Sequence, residues 1–256
     1  MGNHIPIGKL VIFLAIIGVL YTSCFASNAV ESFTPKWIDS YRSEAAFPDI
    51  DVGNYNVREG VLFQENILVA YPREKTEKEY VVPDGIEMIA SVAFEGNQYL
   101  EKVILPSSIT SIGDGAFAGC TELREINFPD RLLVIGVEAF AQCYSLENIE
   151  LPSQLYVIGA QAFCDASMLA GTLIIPSSVR YIGAELLSYT NISTVIFEGC
   201  VEYVGPFLIG EPIPEISYEI QVPDMCYSFV EALQKEYSGF DNVRIVDTIN
   251  IESSFE

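Results

Sequence analysis

The side chains with chemical potential in this chain are its cysteines and carboxylates; histidine is nearly missing. His4 is the single imidazole in 256 residues, and it lies inside an N-terminal segment patterned like an export signal. Removal of that segment leaves no imidazole. That excludes Ser-His-Asp and Cys-His catalysis and every histidine-containing zinc site. Cys24, Cys120, Cys143, Cys164, Cys200 and Cys226 form no C-x-x-C pair, so neither a metal site nor a cofactor is expected. Cys120 and Cys143 stand 23 residues apart. Adjacent rungs of a stack would bring them within reach of a disulfide. The reading adopted is instead a column of buried thiols that behave as small hydrophobes. Asp49-Ile50-Asp51 and the run from Glu74 to Glu79 are rich in charge but lack calcium-loop spacing. An enzyme would have to rest on paired carboxylates acting on polysaccharide, held about 5–9.5 Å apart. The acids here fall at scattered repeat positions instead.

Charge narrows the partners. Thirty-five Asp and Glu face thirteen Lys and Arg, a formal net charge of -22. Such a surface repels phosphate backbones and anionic head groups, so no nucleic acid is expected, and a membrane only through a lipid anchor. The stretch Leu10 to Leu20 follows Lys9 and carries no charge. Its length suits the apolar region of a signal peptide and is too short to span a bilayer. Two processing routes stay open. Ala26 closes a conventional cleavage site, with Cys24 two positions before it. Tyr21-Thr22-Ser23-Cys24 resembles a lipobox, in which Cys24 is lipidated, although Tyr21 stands where an aliphatic residue is usual.

The elements that would carry any site follow from internal repetition. Prolines stand at Pro83, Pro106, Pro129, Pro152 and Pro176, at spacings of 23, 23, 23 and 24. Ile89, Ile112, Ile135, Ile158 and Ile182 keep step, as do Phe94, Phe117, Phe140 and Phe163. Within one unit, Val103 and Leu105 face the same way in a short strand, which Pro106 ends because it has no N–H for a ladder. Ile109 and Ile112 carry the chain past a second inner face. Gly113 suits either a positive φ or a close backbone approach. Cys120 follows Ala116 by four residues and Phe117 by three, the spacing of one helical face. A single unit cannot bury its apolar side, but stacked units can, like residue upon like residue about 4.8 Å apart.

The run Ile109-Thr110-Ser111-Ile112-Gly113-Asp114-Gly115-Ala116-Phe117-Ala118-Gly119-Cys120-Thr121-Glu122-Leu123 resembles the BspA-type leucine-rich repeat of bacterial surface proteins. Ile135-Gly136-Val137-Glu138-Ala139-Phe140 and Ile158-Gly159-Ala160-Gln161-Ala162-Phe163 repeat it. The resemblance implies a curved solenoid displayed outside the cell, in a family associated with adhesion to host proteins and cells.

The resulting expectation is a repeat solenoid, mainly β with short helical turns, built from coils of about 23 residues between two caps. Its divisions are residues 1–26 (signal peptide), 27–52 (spacer), 53–80 (capping hairpin), 81–208 (solenoid) and 209–256 (cap and tail). The expected function is non-catalytic binding of an extracellular protein, matrix or cell-surface ligand by a secreted or surface-held chain. A structural spacer and the polysaccharide enzyme are the alternatives. One of the two residues before each inward Ile should reach solvent. This selects Leu133, Val134, Tyr156, Val157, Tyr181 and Tyr203, and the first strands add Ile104, Ile174 and Ile196. Together they predict one contiguous apolar stripe for a ligand.

Overall fold

A computed structural model describes residues 56–223 and 225–247. The expected signal peptide with Cys24 and the expected spacer lie outside the described residues. The chain is a β-solenoid of about eight turns, some 23 residues apart. Its strands are β1 (Asn56–Arg58), β2 (Val61–Gln64), β3 (Ile67–Ala70), β4 (Glu79–Val81), β5 (Met88–Ile89), β6 (Lys102–Ile104), β7 (Ser111–Ile112) and β8 (Glu125–Ile126). They continue with β9 (Val134–Ile135), β10 (Val157–Ile158), β11 (Ala170–Ile175), β12 (Tyr181–Ile182), β13 (Asn191–Phe197), β14 (Tyr203–Val204), β15 (Tyr218–Val222) and β16 (Val243–Asp247). The α-helix among the described residues, Tyr227–Glu236, lies between the last two strands.

Each coil contributes one short strand to a nine-stranded sheet, ordered β1-β2-β3-β5-β7-β9-β10-β12-β14. The first three strands are antiparallel, so the chain enters the solenoid through a meander. From β3 onward the pairing is parallel, coil on coil. The other strand row splits into a three-stranded sheet, β4-β6-β8, and a four-stranded sheet, β11-β13-β15-β16.

The core is a set of columns. In one coil Val103, Leu105, Ile109, Ile112, Ala116, Phe117, Cys120 and Leu123 all point inward and are at most 3% exposed. Phe94, Phe117, Phe140 and Phe163 stack face to face, with centroids 4.7, 5.1 and 5.5 Å apart, and Tyr71 extends the stack at 5.0 Å. Each fully buried aromatic or aliphatic side chain contributes about 1.5–3 kcal/mol.

The segment carrying the phenylalanines is not helical, contrary to the reading of Cys120 on a helical face. The residue two before each aromatic position is left-handed: Val92, Gly115, Glu138, Gln161, Glu185 and Phe207 have φ between 54° and 59°. With such residues interleaved, alternate N–H groups turn out of the coil toward the next one. Val92, Phe94 and Gly96 donate to the carbonyls of Asp114, Ala116 and Ala118 at 2.9, 2.7 and 2.8 Å. This ladder satisfies backbone groups that would otherwise lie buried without partners.

Two devices finish the ladder. Asn97 takes the place of cysteine in the Cys120 column and is fully buried. Its amide donates to the carbonyls of Pro72, Arg73 and Lys75 and accepts from the N–H of Tyr99 and Leu100. At the other end no further coil follows Phe207 and Ile209. The last residue of the helix and the one after it supply the acceptors instead, Glu236 Oε1 at 2.6 Å from Phe207 N and Tyr237 Oη at 3.2 Å from Ile209 N.

Candidate functional site

The outward row of the nine-stranded sheet runs Met88, Ser111, Val134, Val157, Tyr181 and Tyr203 in direct register. Beside it lie Leu133, Tyr156, Arg180 and Glu202. The structure corrects the sequence expectation here. Val134 is 8% exposed and Val157 fully buried, packed under Leu133, Tyr156 and Tyr181. The strands of this row are two residues long, so long side chains from the adjacent positions fold over the short valines. The solvent face therefore consists of Leu133, Tyr156, Tyr181 and Tyr203, all half-buried.

Contacts between coils hold the Tyr156 and Tyr181 rings in place. Tyr156 meets Tyr181 edge to face, with centroids 5.7 Å apart at 65°. The Tyr181 hydroxyl donates to Glu202 Oε2 at 2.7 Å. That bond to a carboxylate, followed by desolvation, pushes the phenol up to about 12. Arg180 donates to the carbonyls of Ser177 and Cys200 at 3.0 and 3.1 Å, and its Nε lies 3.7 Å from Glu202 Oε1.

The first-strand row is not continuous with this face, nor with itself. Ile104 is half-buried in β6 beside Val81. Ile174, 49% exposed, and Ile196 pair in the separate four-stranded sheet. Between them the repeat places Asn127 and Glu150. The Asn127 amide donates to Leu105 O at 2.9 Å and accepts from Leu105 N at 2.7 Å, replacing strand pairing just past the end of β8. The single stripe joining Ile104 to Ile174 and Ile196 is therefore broken by polar rungs. Those rungs were readable, since both polar residues stand at the repeat position of Ile104. The neighbouring row around Glu101, Arg124 and Glu147 is occupied by ion pairs between coils: Lys78 with Glu101, Lys102 with Glu125 at 2.8 Å, and Arg124 with Glu147 at 3.2 Å.

The cysteines divide by position. Cys120 and Cys143 are free, fully buried thiols that donate to Phe94 O and Phe117 O at 3.1 and 3.2 Å. Burial pushes the Cys120 thiol up to about 12 and Cys143 well above its usual range, so neither is a ready nucleophile. Cys164 is also free, and burial raises it to about 11. Cys200 and Cys226 form a disulfide with Cα atoms 5.4 Å apart, a pairing missed in the sequence. Both lie off the column of Cys120 and Cys143, but so does Cys164, so position within the repeat did not single them out. The bond ties the coil of β14 to the residue preceding the helix. Between that coil and the helix lies a cleft of about 230 Å³, lined by Val201, Glu202, Tyr203, Phe229, Ala232 and Glu236. Among the described residues no group of three or more Cys, Asp or Glu side chains is arranged to hold a metal ion. No helix among them is long and apolar enough to cross a membrane.

Comparison with known proteins adds a family pattern. The BspA type leucine rich repeat region matches residues 87–208 in six copies. No curated protein matches the chain. A structure of the pneumococcal vaccine antigen PcpA is 23% identical with a TM-score of 0.55, over 76% of this chain and 47% of that one. The chain thus spans about half the length of that antigen. A leucine-rich repeat protein of Treponema pallidum is 27% identical over 70% of this chain and 92% of its own, with a TM-score of 0.52. A leucine-rich cell surface protein of Faecalibacterium prausnitzii is 31% identical over 57% of this chain and 40% of its own, with a TM-score of 0.54.

Proposed function

Residues 87–208 are a BspA-type leucine-rich repeat region, and from that premise we propose that the chain is a non-catalytic, exported binding module that engages an extracellular protein through the outer face of its nine-stranded sheet. The observation that carries this reading is the set of half-buried aromatic and aliphatic side chains, Leu133, Tyr156, Tyr181 and Tyr203, on consecutive rungs, packed in part over buried Val134 and Val157. Aromatic groups held in fixed positions lose little entropy on binding and serve as anchors at protein interfaces. The one hydroxyl–carboxylate pair described on this face, Tyr181 with Glu202, has its phenol pushed up to about 12 and therefore held protonated, which favours binding over chemistry.

The first experiment is a binding screen of the protein against host matrix proteins and whole cells, repeated with Tyr156→Ser, Tyr181→Ser and Tyr203→Ser combined. The expected result is a retained fold with binding weakened by at least about 100-fold, given about 1–3 kcal/mol for each truncated anchor. Full binding by the folded triple variant would remove this face from consideration.

Export and anchoring are part of the same proposal, with Cys24 as the site of lipidation. Expressed with its N-terminus in a bacterial host, the protein should take up labelled fatty acid and partition into detergent, and Cys24→Ala should abolish both. An unlabelled product beginning at Ser27 would establish ordinary cleavage after Ala26 instead.

A further inference from the structure

We propose that the cleft between β14 and the helix Tyr227–Glu236 is a pocket for one cationic side chain, Arg or Lys, of a partner polypeptide whose apolar residues lie along Leu133, Tyr156 and Tyr181. The proposal rests on the binding face argued above and names the chemistry of its partner. Tyr203 belongs to both features: it is the last rung of the aromatic row and part of the cleft floor. A segment laid along the row from Leu133 toward the C-terminal end therefore meets the helix as a wall. The volume, about 230 Å³, lies below that of pockets that enclose whole small ligands, and suits one long side chain.

The lining specifies which side chain. Two carboxylates border the cleft, Glu202 from the floor and Glu236 from the wall. Glu202 is oriented by the Tyr181 hydroxyl and forms an ion pair with Arg180 whose 3.7 Å separation is longer than a hydrogen bond. The Arg180 guanidinium is turned onto two backbone carbonyls. Glu202 therefore keeps acceptor capacity for an incoming donor. Glu236 accepts the Phe207 N–H at Oε1 and also interacts with the Tyr237 hydroxyl, so both neighbours hold its carboxylate, with its negative charge, at the border of the cleft. Tyr203 and the exposed Ala232 also line the cleft, offering surfaces for the aliphatic stem of Lys or the flat face of a guanidinium.

The rest of the molecule points the same way. Arg73, Lys75, Lys78, Lys102, Arg124, Arg180 and Arg244 are each already paired with a carboxylate. The chain's net charge of -22 is thus carried by acids in excess, and its field favours cationic partners. The Cys200–Cys226 disulfide joins floor to wall, so the pocket is built before the ligand arrives.

The test uses the disulfide-intact chain and three probe peptides, acetyl-Leu-Leu-Arg-amide and its Gln and Glu counterparts, titrated by amide NMR. The Arg peptide should perturb Tyr203, Ser228 and Ala232 saturably. The Gln peptide should bind at least about tenfold more weakly, and added salt should narrow the difference. Glu202→Gln with Glu236→Gln should abolish the preference for Arg; Gln at 236 keeps an acceptor for the Phe207 N–H, so the wall stays in place. Equal binding of the Arg and Gln peptides, perturbation confined to another face, or an unchanged preference in the folded double variant would each overturn the pocket. The two readings fail differently. A protein ligand lost by the triple tyrosine variant but kept by the double glutamine variant would reject the pocket and leave the aromatic face standing. A ligand kept by both would reject the face itself.

Discussion

Phe140→Ala is expected to lower stability by about 3–5 kcal/mol, the usual effect of truncating a fully buried phenylalanine. Phe140 has no exposed surface and is sandwiched between Phe117 at 5.1 Å and Phe163 at 5.5 Å, with Phe128 edge-on at 5.5 Å. The cavity would open in the middle of the column, where neither cap can collapse into it. Both stacking contacts would also go, each worth about 0.5–1.5 kcal/mol beyond burial. In a domain of this size the thermal midpoint should fall on the order of 10 °C. Since coils contact only their neighbours, hydrogen exchange should accelerate first in the coils around Phe117 and Phe163. Phe207→Ala is the control. That ring is 48% exposed, and its truncation should change stability by no more than about 0.5 kcal/mol. An unchanged midpoint in Phe140→Ala would mean that the aromatic column is not the core.

Gly183→Ala should be nearly as damaging, for a different reason. A Cβ at Gly183 would sit 2.1 Å from Ala160 N, 2.3 Å from Ala160 Cα and 2.7 Å from Gly159 C. These are backbone atoms of the adjacent coil, and none can rotate away. The two coils would have to separate, straining the β10–β12 register and the 2.9 Å bond from Gly183 N to Ile158 O. The expected cost is about 3 kcal/mol, the upper end of overpacking effects. Gly171→Ala separates the mechanisms. Gly171 has φ 85° and nothing within 4 Å of its virtual Cβ. Its substitution should cost only about 1 kcal/mol, from left-handed backbone alone. Equal denaturant midpoints for the two variants would show that close approach of the coils is not what requires glycine at 183. The same column holds Gly113, Gly136, Gly159 and Gly205, each crowded by the coil before it. Of the two reasons first open for Gly113, close approach is therefore the operative one, while a positive φ falls on Gly115 two residues later.

The candidate site shows where one-dimensional reasoning stops. The repeat register singled out the pairs of positions that hold Tyr156, Tyr181 and Tyr203. Strand alternation could not tell that Val134 and Val157 lie under their neighbours, because alternation is a property of one strand and their burial arises between strands. The carboxylates bordering the cleft, Glu202 and Glu236, stand 34 residues apart. No local pattern relates them; they meet because the helix returns to cap the coil that holds Glu202.

By itself the sequence determined the solenoid. A period of 23 residues repeated in proline, isoleucine and phenylalanine leaves each unit with an apolar side that only the next unit can cover, so stacking in that register is dictated residue by residue. It also determined which side chains form the columns, because burial in a coil depends on position within the repeat. The tertiary structure decided what happens where the repeat ends or its residues meet sideways. It chose left-handed backbone at Glu138 and Gln161, where no glycine announces it, because the ladder to the next coil needs the alternate N–H groups turned outward. It paired Cys200 with Cys226 and set Glu236 and Tyr237 under the last open N–H groups. A final coil has no successor to complete it, and which distant segment supplies the missing partners is fixed only by how the chain folds back.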